Sequence, residues 1–420
     1  MHEKTTLPNG LRVVTSTMPH TRSVSLVFYI GTGSRYETPQ QAGMSHFLEH
    51  LLFKGTQRYP RPGDISETID RVGGMLNAAT DREVTTFWCK VAGPHFPIAL
   101  DILVEMLIRP LLDAKEMEKE RLVIVEELRM TKDDPGAQAE ALLEELLWPD
   151  HALGRDVGGT EESVMAITRE ALGEYMARQY SPQNVVVSVA GDLSHQEVVE
   201  AMAQALGRWA PSDTFSWQPS ADGQTSPHLK LESRKTDQEH LYLAVKGLSS
   251  THPDRYALDL LSTIMGEGMS SRLFLELRER QALAYDVHSY PTHMLDCGSL
   301  SIYAGVDPHR ATQALEAILE VVQGMKEPVS EEELSKVKEL SKGRMLLRME
   351  DTRAVAGWIG AQELLQGRIR TVDEVVEEVQ NVTAEQIHRV AQELLVTEKL
   401  NLALVGPRRS EAPFLRRLKL

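Results

Sequence analysis

Apolar and polar residues alternate along positions 24–30, with Val24, Leu26, Phe28 and Ile30 on one face, and a period of two predicts a strand. The Asn-Gly turn signal in Leu7-Pro8-Asn9-Gly10-Leu11 precedes another strand-like run at 11–16. Thr38-Pro39-Gln40-Gln41 has the form of a capping box with proline at the first helical position, and it is read as opening the segment 43–53. Helical spacing then predicts helices at 65–72, stopped by Gly73-Gly74, at 98–108, stopped by Pro110, and at 116–132, stopped by Asp133-Asp134-Pro135. Further helices are expected at 138–147 and 169–179, and strands at 75–80, 84–91 and 185–189.

Residues 210–228 are polar and punctuated by Pro211, Ser212, Pro219, Ser220, Gly223, Ser226 and Pro227, the composition of a linker. Beyond it the pattern restarts, with a strand at 240–246, a helix at 257–265, a strand at 299–306 and long helices to the end. Thr168 opens a helix 23 positions before the strand-ending Gly191, and Thr383 opens one 23 positions before Gly406. That spacing points to two related α/β halves. The expected division is 1–212, a linker at 213–228, and 229–420.

Composition narrows the class. A chain of 420 residues is long enough for two domains. Its net charge of −16 argues against a nucleic-acid partner, which needs a basic surface. Cys89 and Cys297 lie far apart in strand-like segments and read as free thiols in a reducing compartment. The stretch Met1-His2-Glu3-Lys4-Thr5-Thr6-Leu7 has no apolar core of signal-peptide length, and no run approaches the length of a membrane span. The expectation is a cytoplasmic protein.

Candidate chemistry lies in Gly43-Met44-Ser45-His46-Phe47-Leu48-Glu49-His50-Leu51-Leu52-Phe53. His46 and His50 are four apart, so a helix stacks both imidazoles on one face with Glu49 beside them. Two imidazoles make half of a zinc site, and a neighbouring carboxylate can serve as general base. The order His-x-x-Glu-His inverts the commoner zinc helix. An ordinary amphipathic helix with two surface histidines fits the same spacing. The apolar neighbours Met44, Phe47, Leu51, Leu52 and Phe53 set this helix at least half in the core, however, where polar groups need partners. A third ligand could come from Glu120, Glu126 or Glu127 on the glutamate-rich helix 116–132, and spacing alone does not choose Glu127 over Glu126.

His46-Phe47-Leu48-Glu49-His50, with Glu127 77 positions on and Glu120 seven before it, resembles the pitrilysin-type inverted zincins. That family includes insulin-degrading enzyme and the mitochondrial processing peptidase. The resemblance extends through Leu7-Pro8-Asn9-Gly10-Leu11, residues 31–37, Phe53-Lys54-Gly55-Thr56 and Gly74-Met75-Leu76-Asn77-Ala78. In the second half it takes in Gly268-Met269-Ser270-Ser271-Arg272-Leu273 and Leu283-Ala284-Tyr285. The chain is similar to the half-length branch, that of the processing peptidase beta subunit and the bacterial processing proteases.

The resemblance implies an α+β fold of two related domains, each a mostly antiparallel sheet flanked by helices. It implies His46, His50 and Glu127 as ligands of one Zn2+ per chain, Glu49 as general base, and Glu120 as a supporting carboxylate. Asn77, Ala78, Ala79 and Thr80 match an edge strand that pairs with the substrate backbone. Arg278 and Tyr285 match a pair in the second domain that holds substrate and steadies the oxyanion. The implied activity is a zinc endopeptidase acting on extended, unstructured peptides or presequence-like segments, with Glu-assisted attack of water. Since zinc set and Arg278/Tyr285 are all present, the expected assembly is a homodimer with composite sites, a heterodimer with an inactive homologue being the other arrangement in the family. The rival functions are a narrow processing peptidase and a non-catalytic structural subunit. Such subunits typically lose part of the zinc set, which is intact here.

Overall fold

A computed structural model of the chain describes residues 2–420. In chain order it begins with β1 (His2–Thr6), β2 (Arg12–Thr17) and β3 (Ser23–Ile30), then α1 (Met44–Leu52) and α2 (Asp64–Asp70). β4 (Met75–Thr80) and β5 (Thr85–Ala92) precede α3 (Phe96–Ile108), α4 (Ala114–Asp133) and α5 (Pro135–Leu147). Next come α6 (Glu161–Ala166), α7 (Arg169–Gln179), β6 (Val185–Gly191) and α8 (His195–Leu206). The second half contains β7 (His228–Ser233), β8 (Glu239–Lys246), α9 (Arg255–Gly266), β9 (Ala284–His293) and β10 (Gly298–Val306). It continues through α10 (Ala311–Gly324), α11 (Glu331–Arg348), α12 (Thr352–Gln366), α13 (Val372–Gln380), α14 (Ala384–Leu394), β11 (Asn401–Gly406) and α15 (Ala412–Leu415).

Two sheets form. The first has the order β1-β2-β6-β3-β5-β4, the second β7-β11-β8-β10-β9. In each, one pair is parallel (β2 with β6, β7 with β11) and the other pairings are antiparallel. The fold is therefore α+β, and the second sheet repeats the first without β1. The spacing that suggested a repeat marks equivalent elements: Thr168 caps α7 through Ala171 N–H and Thr383 caps α14 through Gln386 N–H. β6 and β11 then end on Gly191 and Gly406.

The chain forms two compact units. The first comprises Met1–Leu128, Asp156–Gln218 and Met345–Val372; the second comprises Arg129–Arg155, Pro219–Arg344 and Asp373–Leu420. This differs from a division at 212 and 229, because each half lends a helix to the other half's sheet. α12 packs its Val355, Ala356 and Ile359 on Val14, Val27, Tyr29, Val186 and Ala190 of the first sheet. The approach is close enough that a Cβ on Gly360 would lie 2.6 Å from the Tyr29 ring. α5 packs its Ala139, Leu142 and Leu143 on Tyr242, Ala244, Ala403 and Val405 of the second sheet. α5 and α12 follow equivalent helices, so the exchange is reciprocal. On its other face the first sheet carries a further core, built with α1, α3, α7 and α8.

No helix among the described residues is long and apolar enough to cross a membrane. Cys89 is buried in β5 and Cys297 is half-buried, and neither is in a disulfide.

Candidate metal centre

The capping box at Thr38 is formed, but it caps only a 3-10 turn, Pro39–Gln41. The histidine helix starts afresh at Met44. Gly43 makes that start possible: its φ is 92°, and a Cβ there would lie 2.4 Å from the Gly158 carbonyl oxygen. The buried Glu37 carboxylate accepts from the N–H groups of Gly43 (2.8 Å) and Ser45 (2.7 Å). An anion suits the positive end of the helix dipole. Phe47, Leu48, Leu51 and Leu52 turn into the core, which leaves His46, Glu49 and His50 on the half-buried face.

α4 supplies the carboxylates that this face meets. His50 Nε2 lies 3.2 Å from His46 Nε2 and 3.4 Å from Glu127 Oε2, and His46 Nε2 lies 3.8 Å from the same oxygen. Among the described residues these are the one cluster of His, Cys, Asp or Glu whose donor atoms could hold a metal ion, all lying within 4.8 Å of one another. Donors at the corners of a tetrahedral Zn2+ site, with bonds of about 2.0–2.1 Å, stand roughly 3.4 Å apart. The observed separations match. Burial and the neighbouring His50 push the His46 pKa down to about 4, so His46 is neutral, the form a metal ligand needs. Two nitrogens and one carboxylate oxygen are a donor set that zinc accepts, with a position left open.

The surroundings orient these groups. Buried Glu120 accepts from His50 Nδ1 at 3.2 Å, which turns Nε2 toward the cluster, and is itself paired with Lys54 Nζ at 2.8 Å. His46 Nδ1 has no such acceptor and is buried without a partner. Glu49 Oε2 accepts from the Thr80 hydroxyl at 2.6 Å. Burial raises the Glu49 pKa above the ordinary carboxylate value, opposed by the Thr80 hydrogen bond.

Asn77, Ala78, Ala79 and Thr80 lie on β4, whose outer side has no neighbour in its sheet. Ala78 N–H is taken by the Asn77 side-chain oxygen at 2.9 Å. Arg278 and Tyr285 belong to the second unit. There the chain over Phe274–Arg280 winds as a π-helix rather than an ordinary helix, and the Arg278 guanidinium lies 4.8 Å over the Tyr285 ring and 4.9 Å over Phe274. Tyr285 is 77% exposed. The structure thus groups His46, Glu49, His50, Glu120, Glu127 and Thr80 in the first unit, and pairs Arg278 with Tyr285 in the second. It leaves Glu126 exposed and outside the cluster. Sequence reasoning missed Lys54 and Glu37. Lys54 stands four positions past His50, a spacing that hints at the same face although α1 itself ends at Leu52.

Comparison with known proteins agrees with this geometry. Residues 12–161 match the family model described as Insulinase (Peptidase family M16), and residues 166–341 match the model of the Peptidase M16 inactive domain. A Bacillus subtilis protein named an uncharacterized zinc protease is 37% identical over 412 residues, covering 97% of this chain and 98% of its own. A Streptomyces coelicolor protein with the same description is 36% identical, covering 96% of this chain and 89% of its own. The crystal structure of a protease from Helicobacter pylori superposes with a TM-score of 0.91 at 25% identity, over 97% of this chain and 99% of that one.

Proposed function

We propose, from the premise that this chain belongs to the insulinase family, peptidase family M16, that it is a zinc-dependent endopeptidase acting on extended peptides. The observation that carries this reading is the convergence of His46, His50 and Glu127 with Glu49 beside them on the same helix face. Those three side chains would hold one zinc ion per chain. Zinc in such a set supplies a water acidified toward a pKa of about 7 and a Lewis acid for the peptide carbonyl.

The remaining work falls to the protein's own groups. Glu49, its affinity for protons raised by burial, takes a proton from the attacking water and passes it to the leaving amine. β4 offers main-chain groups along a free edge, so a peptide can dock as an added strand with little dependence on its sequence. Arg278 and Tyr285 would donate to the oxygen that becomes negative. In our reading they reach the site from a second copy of the chain, in a homodimer with two composite sites. Unstructured or presequence-like segments are the proposed substrates.

The test is metal analysis of purified protein together with digestion of a peptide library read by mass spectrometry, with Glu49→Gln as the blank. The expected result is about one zinc per chain in both proteins, and cleavage by the wild type alone. A folded wild type without zinc, or undiminished turnover by Glu49→Gln, would refute the proposal.

A further inference from the structure

Glu49 has one anchor. Its Oε2 accepts from the Thr80 hydroxyl at 2.6 Å. Among the described residues no other side chain donates to it. Tyr180 lies close enough for the Glu49 charge to oppose its ionisation, yet its buried phenol has no hydrogen-bond partner and gives Glu49 no second support.

Thr80 is also the last residue of β4, the edge strand. Along a strand, the N–H and C=O of alternate residues point to the same side. Asp81 N–H donates to the Val84 carbonyl at 2.8 Å, on the β5 side, so the N–H groups of Thr80, Ala78 and Leu76 point to the open edge. The Ala78 N–H confirms this direction, since it is held by the Asn77 side chain rather than by β5. Glu49 therefore occupies the final outward position of the edge. An added strand that takes the Ala78 N–H from the Asn77 side chain pairs back along this edge, and its next peptide group arrives at the Glu49 carboxylate.

We propose that Thr80 is the positioning residue for Glu49: its hydroxyl holds the carboxylate, and so ties the aim of the base to the strand on which the peptide docks. This rests on the endopeptidase reading above. The hydroxyl holds one oxygen and leaves the other to face the reacting groups. Without it the carboxylate keeps its χ freedom, and base and peptide are no longer held in one register.

Thr80→Val removes the hydroxyl at nearly constant volume and leaves the backbone N–H; Thr80→Ser returns the hydroxyl. Thr80→Val is expected to lower kcat roughly 10- to 100-fold, with KM, zinc content and melting temperature unchanged. Thr80→Ser is expected to recover most of the loss. Crystal structures should show Glu49 in one orientation in the wild type and Thr80→Ser and in several in Thr80→Val. Wild-type kcat in Thr80→Val, failure of serine to restore it, or loss of zinc or a raised KM in place of the kcat effect would each overturn the proposal. A wild type inactive on all peptides would refute the endopeptidase reading instead, and the Glu49 orientation in the two variants would still decide the role of Thr80.

Discussion

Removing the Glu120 side chain tests whether the metal centre depends on the groups behind it. Glu120 is buried, accepts from His50 Nδ1 at 3.2 Å and is paired with Lys54 at 2.8 Å. In Glu120→Ala the His50 N–H faces no acceptor, the imidazole is free to turn its Nε2 away, and Lys54 loses its counter-charge. Outer-sphere partners of metal-bound histidines typically contribute 10–100-fold to affinity, about 1.4–2.8 kcal/mol. His46 has no equivalent acceptor, so the whole loss should pass through His50. Competition against a calibrated chelator, starting from metal-free protein of unchanged circular dichroism, would read this as a 10- to 100-fold rise in the zinc Kd. Glu126→Ala on the same helix should leave Kd unchanged, because Glu126 lies outside the donor cluster, whereas Glu127→Ala should abolish stoichiometric binding. A Glu120→Ala protein that binds zinc as tightly as Glu126→Ala would refute the argument that the buried carboxylate orients His50.

Two further outcomes follow from other parts of the molecule. Buried Glu239, whose carboxylate oxygens have no partner and whose pKa is pushed from 4.5 up to about 7, holds its proton more tightly folded than unfolded; stability is lost as pH rises from 4.5 to 7, by roughly 3 kcal/mol in all. Glu239→Gln should therefore raise the melting temperature at pH 8 by several degrees more than at pH 4.5, and an equal offset at both would count against it. If the sites are composite, mixing Arg278→Ala with His46→Ala subunits should restore cleavage that neither shows alone, whereas mixed dimers without activity would place each site within one chain.

Most of the buried frame was legible because burial leaves a period. β3 and β6 are almost continuously buried, β5 and α3 mostly so, and runs like these announce themselves. The strands not read from sequence, β1, β7 and β9, are all sheet edges, half-buried and polar, and β9 even contains Pro291. The donor pair His46 and His50 was visible from spacing, but the third donor was not. Glu126 and Glu127 are adjacent, and which of them reaches the cluster is set by how α4 rotates against α1, a packing outcome that no local pattern encodes. Glu239 was equally silent. Through the repeat it stands opposite Gly406 as Val24 stands beside Gly191, so a carboxylate fills a place that is valine in the other unit.

The exchanged helices make the two halves dependent on each other in a way that a cut at the polar stretch 213–228 exposes. A fragment ending there keeps every donor of the metal centre but lacks α12. Five core side chains of the first sheet, Val14, Val27, Tyr29, Val186 and Ala190, would then face water. Each fully buried aliphatic or aromatic side chain contributes about 1.5–3 kcal/mol by burial, so their exposure is comparable with the 5–15 kcal/mol that holds a typical domain together. The polar anchors go too: Tyr29 Oη donates to the Gly357 carbonyl at 2.8 Å, Ser188 Oγ to that of Ala356 at 2.7 Å, and Ser25 and Thr352 share a hydroxyl bond of 2.9 Å. Ser25 and Ser188 are buried, and without α12 their hydroxyls would need water where the sheet now meets a helix. Residues 1–218 expressed alone should therefore be unfolded or aggregated and bind no stoichiometric zinc, while the same fragment with 345–372 supplied on a flexible tether should recover both. A fragment 1–218 that folds cooperatively and binds zinc would show that α12 covers the sheet without holding it together.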